Sequence, residues 1–155
     1  MRVASMGSMT SLDVKKVYQL LARQDVEEIS AFLEASGLDI ADQEGRTFLM
    51  IAAVDASPEL VESLILLGCD AELQDRQGFT ALHLAVINER REIINLLLDH
   101  GVAVDIRDKW GNTPLWRAAM LASDSEEASV RALVSAGADL DAQNLHSVSP
   151  RELLA

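Results

Sequence analysis

Three histidines, His83, His100 and His146, and one cysteine, Cys69, are the side chains of this chain best suited to act as base, nucleophile or metal ligand near neutral pH. A hydrolase or redox centre would need Cys69 or His83 held beside an orienting partner in a cleft. The spacing offers no such set. The histidines fall in separate segments without metal-ligand spacing, and no Gly-rich phosphate loop occurs. A lone cysteine can form neither an internal disulfide nor a Cys-based zinc site. Beside Gly68 it reads as a small buried side chain. No catalytic residue, cofactor or metal is therefore expected.

Composition narrows the classes further. The chain has 155 residues, 49% hydrophobic and 25% charged, which suits one globular domain with a sizeable core. Thirteen Lys and Arg against 25 Asp and Glu give a formal charge of -12, the wrong sign for neutralising nucleic-acid phosphates. No run approaches the roughly 20 apolar residues of a membrane span, and the scarcity of thiols points to a reducing, cytoplasmic setting. Residues 1–11 read as a flexible leader or tag. The acidity is concentrated: Asp25 to Asp75 holds thirteen acids and only Arg46 as a base, so that segment carries 1 - 13 = -12 and the rest cancels. Such a segment is either a solvated face or a docking field for a basic partner.

What organises the chain is a repeat of 33 residues. Asp42-Gln-Glu-Gly45-Arg-Thr47-Phe-Leu49, Asp75-Arg-Gln-Gly78-Phe-Thr80-Ala-Leu82 and Asp108-Lys-Trp-Gly111-Asn-Thr113-Pro114-Leu115 start 33 residues apart, twice. Ala52, Ala85 and Ala118 recur at one offset, and Gly68, Gly101 and Gly137 close each unit. The third unit is three residues longer, in Ser123 to Glu127, and a degenerate fourth start runs from Asn144 to Leu154. Asp and Gly suit a tight turn, after which Thr47, Thr80 and Thr113 can cap a short helix. Leu60, Val61, Leu64 and Ile65, and likewise Ile93, Ile94, Leu97 and Leu98, mark the apolar stripe of a second helix, which the glycines can end. Val14, Val17, Tyr18 and Leu21, then Val26, Ile29, Phe32 and Leu33, predict a helix pair whose opening turn is missing. One unit alone cannot bury both helices, so neighbours must stack.

These motifs resemble the ankyrin repeat, with its Asp-x-x-Gly-x-Thr-Pro-Leu-His-x-Ala signature. His83 matches the family's histidine, while Met50 and Trp116 replace it in the other units, and only Pro114 keeps the proline of the full units. The resemblance implies an all-α ankyrin-repeat solenoid of helix-turn-helix repeats joined by turn or hairpin fingers. The expected parts are a cap at 12–41, repeats at 42–74, 75–107 and 108–143, and a partial cap at 144–155. In that setting His83 should form a hydrogen bond between adjacent turns.

The resemblance also implies a protein partner, gripped by the finger tips and the exposed sides of the first helices. Carried over position by position, that surface comprises Gln43, Glu44, Arg46, Val54 and Asp55, then Arg76, Gln77, Phe79, Ile87 and Asn88, then Lys109, Trp110, Asn112, Met120 and Leu121. Phe79 and Trp110 are large apolar groups on turns, either binding anchors or plates packed on the neighbouring turn. Trp116 either fills the groove between repeats or projects into the binding wall. The stretch Trp110-Gly-Asn-Thr-Pro-Leu-Trp-Arg-Ala118 and the ending Val148-Ser-Pro-Arg-Glu-Leu-Leu-Ala155 are similar to those of small bacterial ankyrin proteins found beside secreted toxins. That similarity implies an immunity protein, monomeric when unbound, that neutralises a basic toxin or effector domain. An adaptor or regulatory protein binding another intracellular protein would use the same surface.

Overall fold

The computed structural model describes residues 11–122 and 127–155. The leader read at 1–11, apart from Ser11, and residues 123–126 of the lengthened segment lie outside the described residues. Nine α-helices follow one another among the described residues: α1 (Val14–Arg23), α2 (Val26–Ser36), α3 (Phe48–Asp55), α4 (Pro58–Leu67), α5 (Ala81–Ile87), α6 (Arg91–Asp99), α7 (Pro114–Leu121), α8 (Glu127–Ser135) and α9 (Pro150–Leu153). They stack in two rows. The first helices α1, α3, α5, α7 and α9 pack in sequence, the second helices α2, α4, α6 and α8 do the same, and α3–α4, α5–α6 and α7–α8 pair across the rows. The result is the all-α solenoid that the repeat implies.

Each start is chemically marked. The Thr47, Thr80 and Thr113 hydroxyls accept from the amides of Met50, His83 and Trp116 at 3.3, 3.3 and 3.2 Å. Each satisfies a helix amide that would otherwise lack a partner. Pro58, Pro114 and Pro150 occupy the first helical turn, where no amide hydrogen is needed. Gly68, Gly101 and Gly137 follow α4, α6 and α8 with φ of 106°, 73° and 95°. That left-handed geometry turns the chain out of the helix.

Between units the chain forms four fingers of one geometry. Asp42 Oδ1 accepts from the Glu44 and Arg46 amides, both at 2.9 Å, and Asp75 and Asp108 repeat the pattern. In the fourth finger Asn144 Oδ1 does the same work, accepting from His146 and Val148 at 2.9 and 3.1 Å. The fingers are laced by backbone bonds: Arg76 N–H to Glu44 O at 2.9 Å, Lys109 N–H to Gln77 O at 3.0 Å, and Leu145 N–H to Trp110 O at 3.0 Å. This lacing brings the backbones very close. A Cβ at Gly78 would lie 2.7 Å from the Lys109 nitrogen, and one at Gly111 2.8 Å from the Leu145 nitrogen. Both positions also have φ near 80°, so glycine is required twice over.

The core runs continuously through the stack, with Leu33, Phe48, Leu49, Leu60, Leu64, Leu82, Ile93, Ile94, Leu97 and Leu115 all buried. Each such side chain contributes roughly 1.5–3 kcal/mol by leaving water. Polar mortar adds to it: the Gln74 amide donates to Gly78 O and Arg107 O, each at 2.8 Å, and the Arg107 guanidinium reaches Gly111 O and Gln143 O. Arg90 similarly donates to Val54 O and Ala56 O, tying the end of α3 to the next unit.

The N-terminal helices form where the spacing predicts them, but their stripe is only partly buried. Val17, Leu21, Ile29 and Leu33 are inside, whereas Tyr18 and Val26 are 48% and 40% exposed. α1 packs chiefly on α3. The Tyr18 hydroxyl instead donates to Asp55 Oδ2 at 3.3 Å. No helix among the described residues is long and apolar enough to cross a membrane.

Candidate functional site

The residues best equipped for chemistry are placed apart and put to structural use. His83 is fully buried on α5. Its Nδ1 accepts from the Thr80 amide at 3.3 Å, which leaves Nε2–H to donate to Asn112 O at 3.1 Å across to the next finger. This is the bond between adjacent turns expected of it. Burial lowers its pKa, so the ring stays neutral. Cys69 is buried, its thiol pushed up to about 11 by desolvation, and its Sγ donates to Leu38 O. A thiol so protonated is a poor nucleophile. His100 caps α6 and faces Glu62 at 3.5 Å, and His146 is exposed on the fourth finger. No cluster of three or more metal-ligating side chains occurs among the described residues.

Surface features converge instead where the second, third and fourth fingers meet α7. The organising pair is Asp108 and Arg117. Asp108 Oδ1 holds the third finger closed, and Oδ2 accepts from Arg117 Nε at 2.9 Å and Nη2 at 2.5 Å. The carboxylate is inaccessible to water, and its charge is balanced by the guanidinium of a side chain that is 19% exposed. Held there, Arg117 lies 5.3 Å from the Phe79 ring centroid, 5.1 Å from Trp110 and 5.7 Å from Trp116. Three aromatic faces surround one cation.

The rings support one another. Phe79 and Trp110 meet at 5.9 Å between centroids with their planes tilted by 37°, and Phe79 also lies 5.8 Å from the His83 ring. The Lys109 ammonium sits 4.4 Å over Trp110, and Trp116 Nε1–H donates to Val148 O at 3.1 Å. With Met120 and Val148 these groups line an open groove of about 350 Å³ whose surface is chiefly apolar. Phe79 is thus a plate on the next finger. Trp116 both packs and lines the groove, while Trp110, 38% exposed, and Met120, 58% exposed, keep large apolar areas in water.

Of the residues proposed from sequence, the fold therefore gathers Phe79, Lys109, Trp110, Trp116 and Met120 around Arg117. Leu121 is exposed at the end of α7, and Arg76 is exposed on the second finger. Asn112 is not on the free surface. It is 4% exposed because its Oδ1 turns inward to accept from Asn144 Nδ2 at 2.8 Å, bracing the third finger against the fourth. Glu44, Arg46 and Asp55 lie in the N-terminal half. There Arg46 is bound back to Asp42 at 2.8 Å, Asp55 takes the Tyr18 hydroxyl, and Glu44 faces water. A second, smaller cavity of about 90 Å³ is lined there by Tyr18, Arg46, Val54 and Asp55 among others.

The positioning role of Arg117 was the feature sequence reasoning missed. A lone arginine nine residues after the turn aspartate carries no local signal, because the pair forms only when α7 folds back over its own finger. Asn144 and Tyr18 were legible as turn and helix residues, but not as partners of Asn112 and Asp55.

A family model described as ankyrin repeats (3 copies) matches residues 49–144. No curated protein matches the chain. With the capped helix pairs, the laced fingers and that match together, the chain belongs to the ankyrin repeat family, whose repeats are protein–protein interaction modules and typically carry no catalysis.

Proposed function

We propose that this chain is a non-enzymatic cytoplasmic binding protein that neutralises a basic toxin or effector domain by occupying part of its surface. The observation that carries the binding half of this reading is the groove at α7, where Trp110 and Met120 stay exposed around a cation fixed by Asp108. Exposed aromatic groups beside a desolvated charge pair have the make-up of binding hot spots. A rigid stack has little backbone entropy left to lose on binding, so a few anchors suffice. The binding surface comprises Glu44, Arg46 and Asp55 at one end and Arg76, Phe79, Lys109, Trp110, Trp116, Met120 and Leu121 at the other. Residues 12–155 present it as one unit.

The basic character of the partner rests on charge. All twelve excess negative charges lie in the segment from Asp25 to Asp75, which runs from the start of α2 to the second finger. Such a field speeds encounter with a positively charged surface. The test is co-expression with a toxin-like protein encoded beside this chain. Relief of toxicity by the wild type, and its loss with Trp110→Ala, supports neutralisation. Toxicity untouched by the wild type removes that role and leaves an adaptor or regulatory subunit.

A further inference from the structure

What already fills the groove at α7 restricts what else can enter it. Aromatic faces gathered around an opening attract cations. Here the chain's own cations engage those faces: Arg117 lies 5.3, 5.1 and 5.7 Å from the Phe79, Trp110 and Trp116 centroids, and the Lys109 ammonium sits 4.4 Å over Trp110. A further cation brought between the rings would be repelled by both. An anchor of positive charge is therefore disfavoured. What stays open is apolar surface, with Trp110 38% and Met120 58% exposed around a groove of about 350 Å³. That volume suits a large apolar side chain.

The rim of the groove has one sign. None of the residues that line it is acidic. The Asp108 carboxylate lies behind it, closed to water, with Oδ1 engaged by the finger's own amides and Oδ2 by Arg117. Lys109 is exposed, and its ammonium rests on a ring instead of a carboxylate. Arg76 stands at the matching position of the second finger, also exposed. The excess acid of the chain falls in Asp25 to Asp75, and every residue lining the groove comes after that segment. Exposed charges more than about 8 Å apart are largely screened at physiological ionic strength, so the basic rim in direct contact with a ligand sets the preference.

We propose that the groove takes a large apolar side chain of the protein partner with a carboxylate beside it: the apolar group enters among Trp110, Trp116 and Met120, and the carboxylate pairs with Lys109 on the rim. This rests on the reading of the α7 groove as binding surface and adds the chemistry of the segment it grips. The partner is then two-signed, with a basic surface against the Asp25 to Asp75 segment and a locally acidic, apolar segment against the third finger. Contacts of opposite sign at two points along the stack fix the partner's direction. Docked the other way round, both contacts would place like charges together.

The test is selection of displayed random peptides on the full chain, with Trp110→Ala for counter-selection, followed by titration of the selected peptides through tryptophan emission. The chain has two tryptophans, Trp110 and Trp116, and both line the groove, so the signal reports from the site itself. The selected peptides should carry a large apolar residue next to Asp or Glu. Lys109→Glu should weaken them by about tenfold or more, and Lys109→Met, which keeps a cover over the Trp110 ring, should weaken them by less. A fresh selection on Lys109→Glu should return Lys or Arg beside the apolar residue. Peptides from the wild type with Lys or Arg there, no peptide that depends on Trp110, or peptides indifferent to both Lys109 variants would each overturn the proposal. Co-expression that leaves toxicity unrelieved while acidic, apolar peptides are still selected strikes the neutralising role and leaves the anchor standing. Relief of toxicity with basic peptides selected strikes the anchor alone.

Discussion

At the scale of single residues the molecule separates anchors from braces. Trp110 rests on Phe79 and under Lys109 but is not part of the buried core. Trp110→Ala should weaken partner binding by about 2 kcal/mol or more while the melting temperature barely moves. Titration calorimetry and thermal melts on the same samples check both halves of that statement. His83 is the opposite case. Its ring is buried and bonded at both nitrogens, so His83→Asn should cost about 1–3 kcal/mol of stability by denaturant unfolding and leave binding by the folded protein intact. Because burial holds its folded pKa below the usual value of about 6.5, the unfolded chain takes up the proton first as pH falls. The stability contributed by neutral His83 is therefore complete above that value and is lost as pH drops toward the folded pKa. The asparagine variant should flatten the fall in stability as pH drops below about 6.5. An unchanged slope would show that His83 is not the group being titrated.

At the scale of elements, the joints between fingers matter more than the helix ends. Gly78→Ala drives a Cβ into the Lys109 backbone, whereas Gly101→Ala, also at positive φ, meets nothing within 4 Å. The second should cost about 1 kcal/mol and the first clearly more, with urea midpoints giving the comparison. Equal losses would mean that φ strain alone governs both sites. The same contrast explains what could be read in advance. Turn, cap and helix-stop chemistry is local, so Asp75, Thr80 and Gly101 announced their roles by type and spacing, and the 33-residue register carried those roles from unit to unit. Contacts that depend on how units lean together left no such trace. Asn112 sat at a variable finger position and read as surface, yet it faces the fourth finger. Arg117 belongs to no turn or cap motif, yet it faces three rings.

Across the whole molecule the proposed binding surface is divided. Acidic groups dominate the N-terminal units, and aromatic and basic groups gather at α7, so on the proposed reading a partner would meet a charge field and an apolar anchor at different points along the stack. Reversing Glu44 and Asp55 to Lys should slow association with a basic partner at low salt, and the difference should shrink as ionic strength rises, by stopped-flow measurement. The most direct test of the account is capture of the partner from native extract by immobilised wild type, Trp110→Ala and a control, Leu66→Ser, which alters a side chain 73% exposed on α4. The account predicts a protein retained by the wild type and the control and lost from Trp110→Ala. A protein held equally by Trp110→Ala but released by Leu66→Ser would place the interface on the second helices and contradict it.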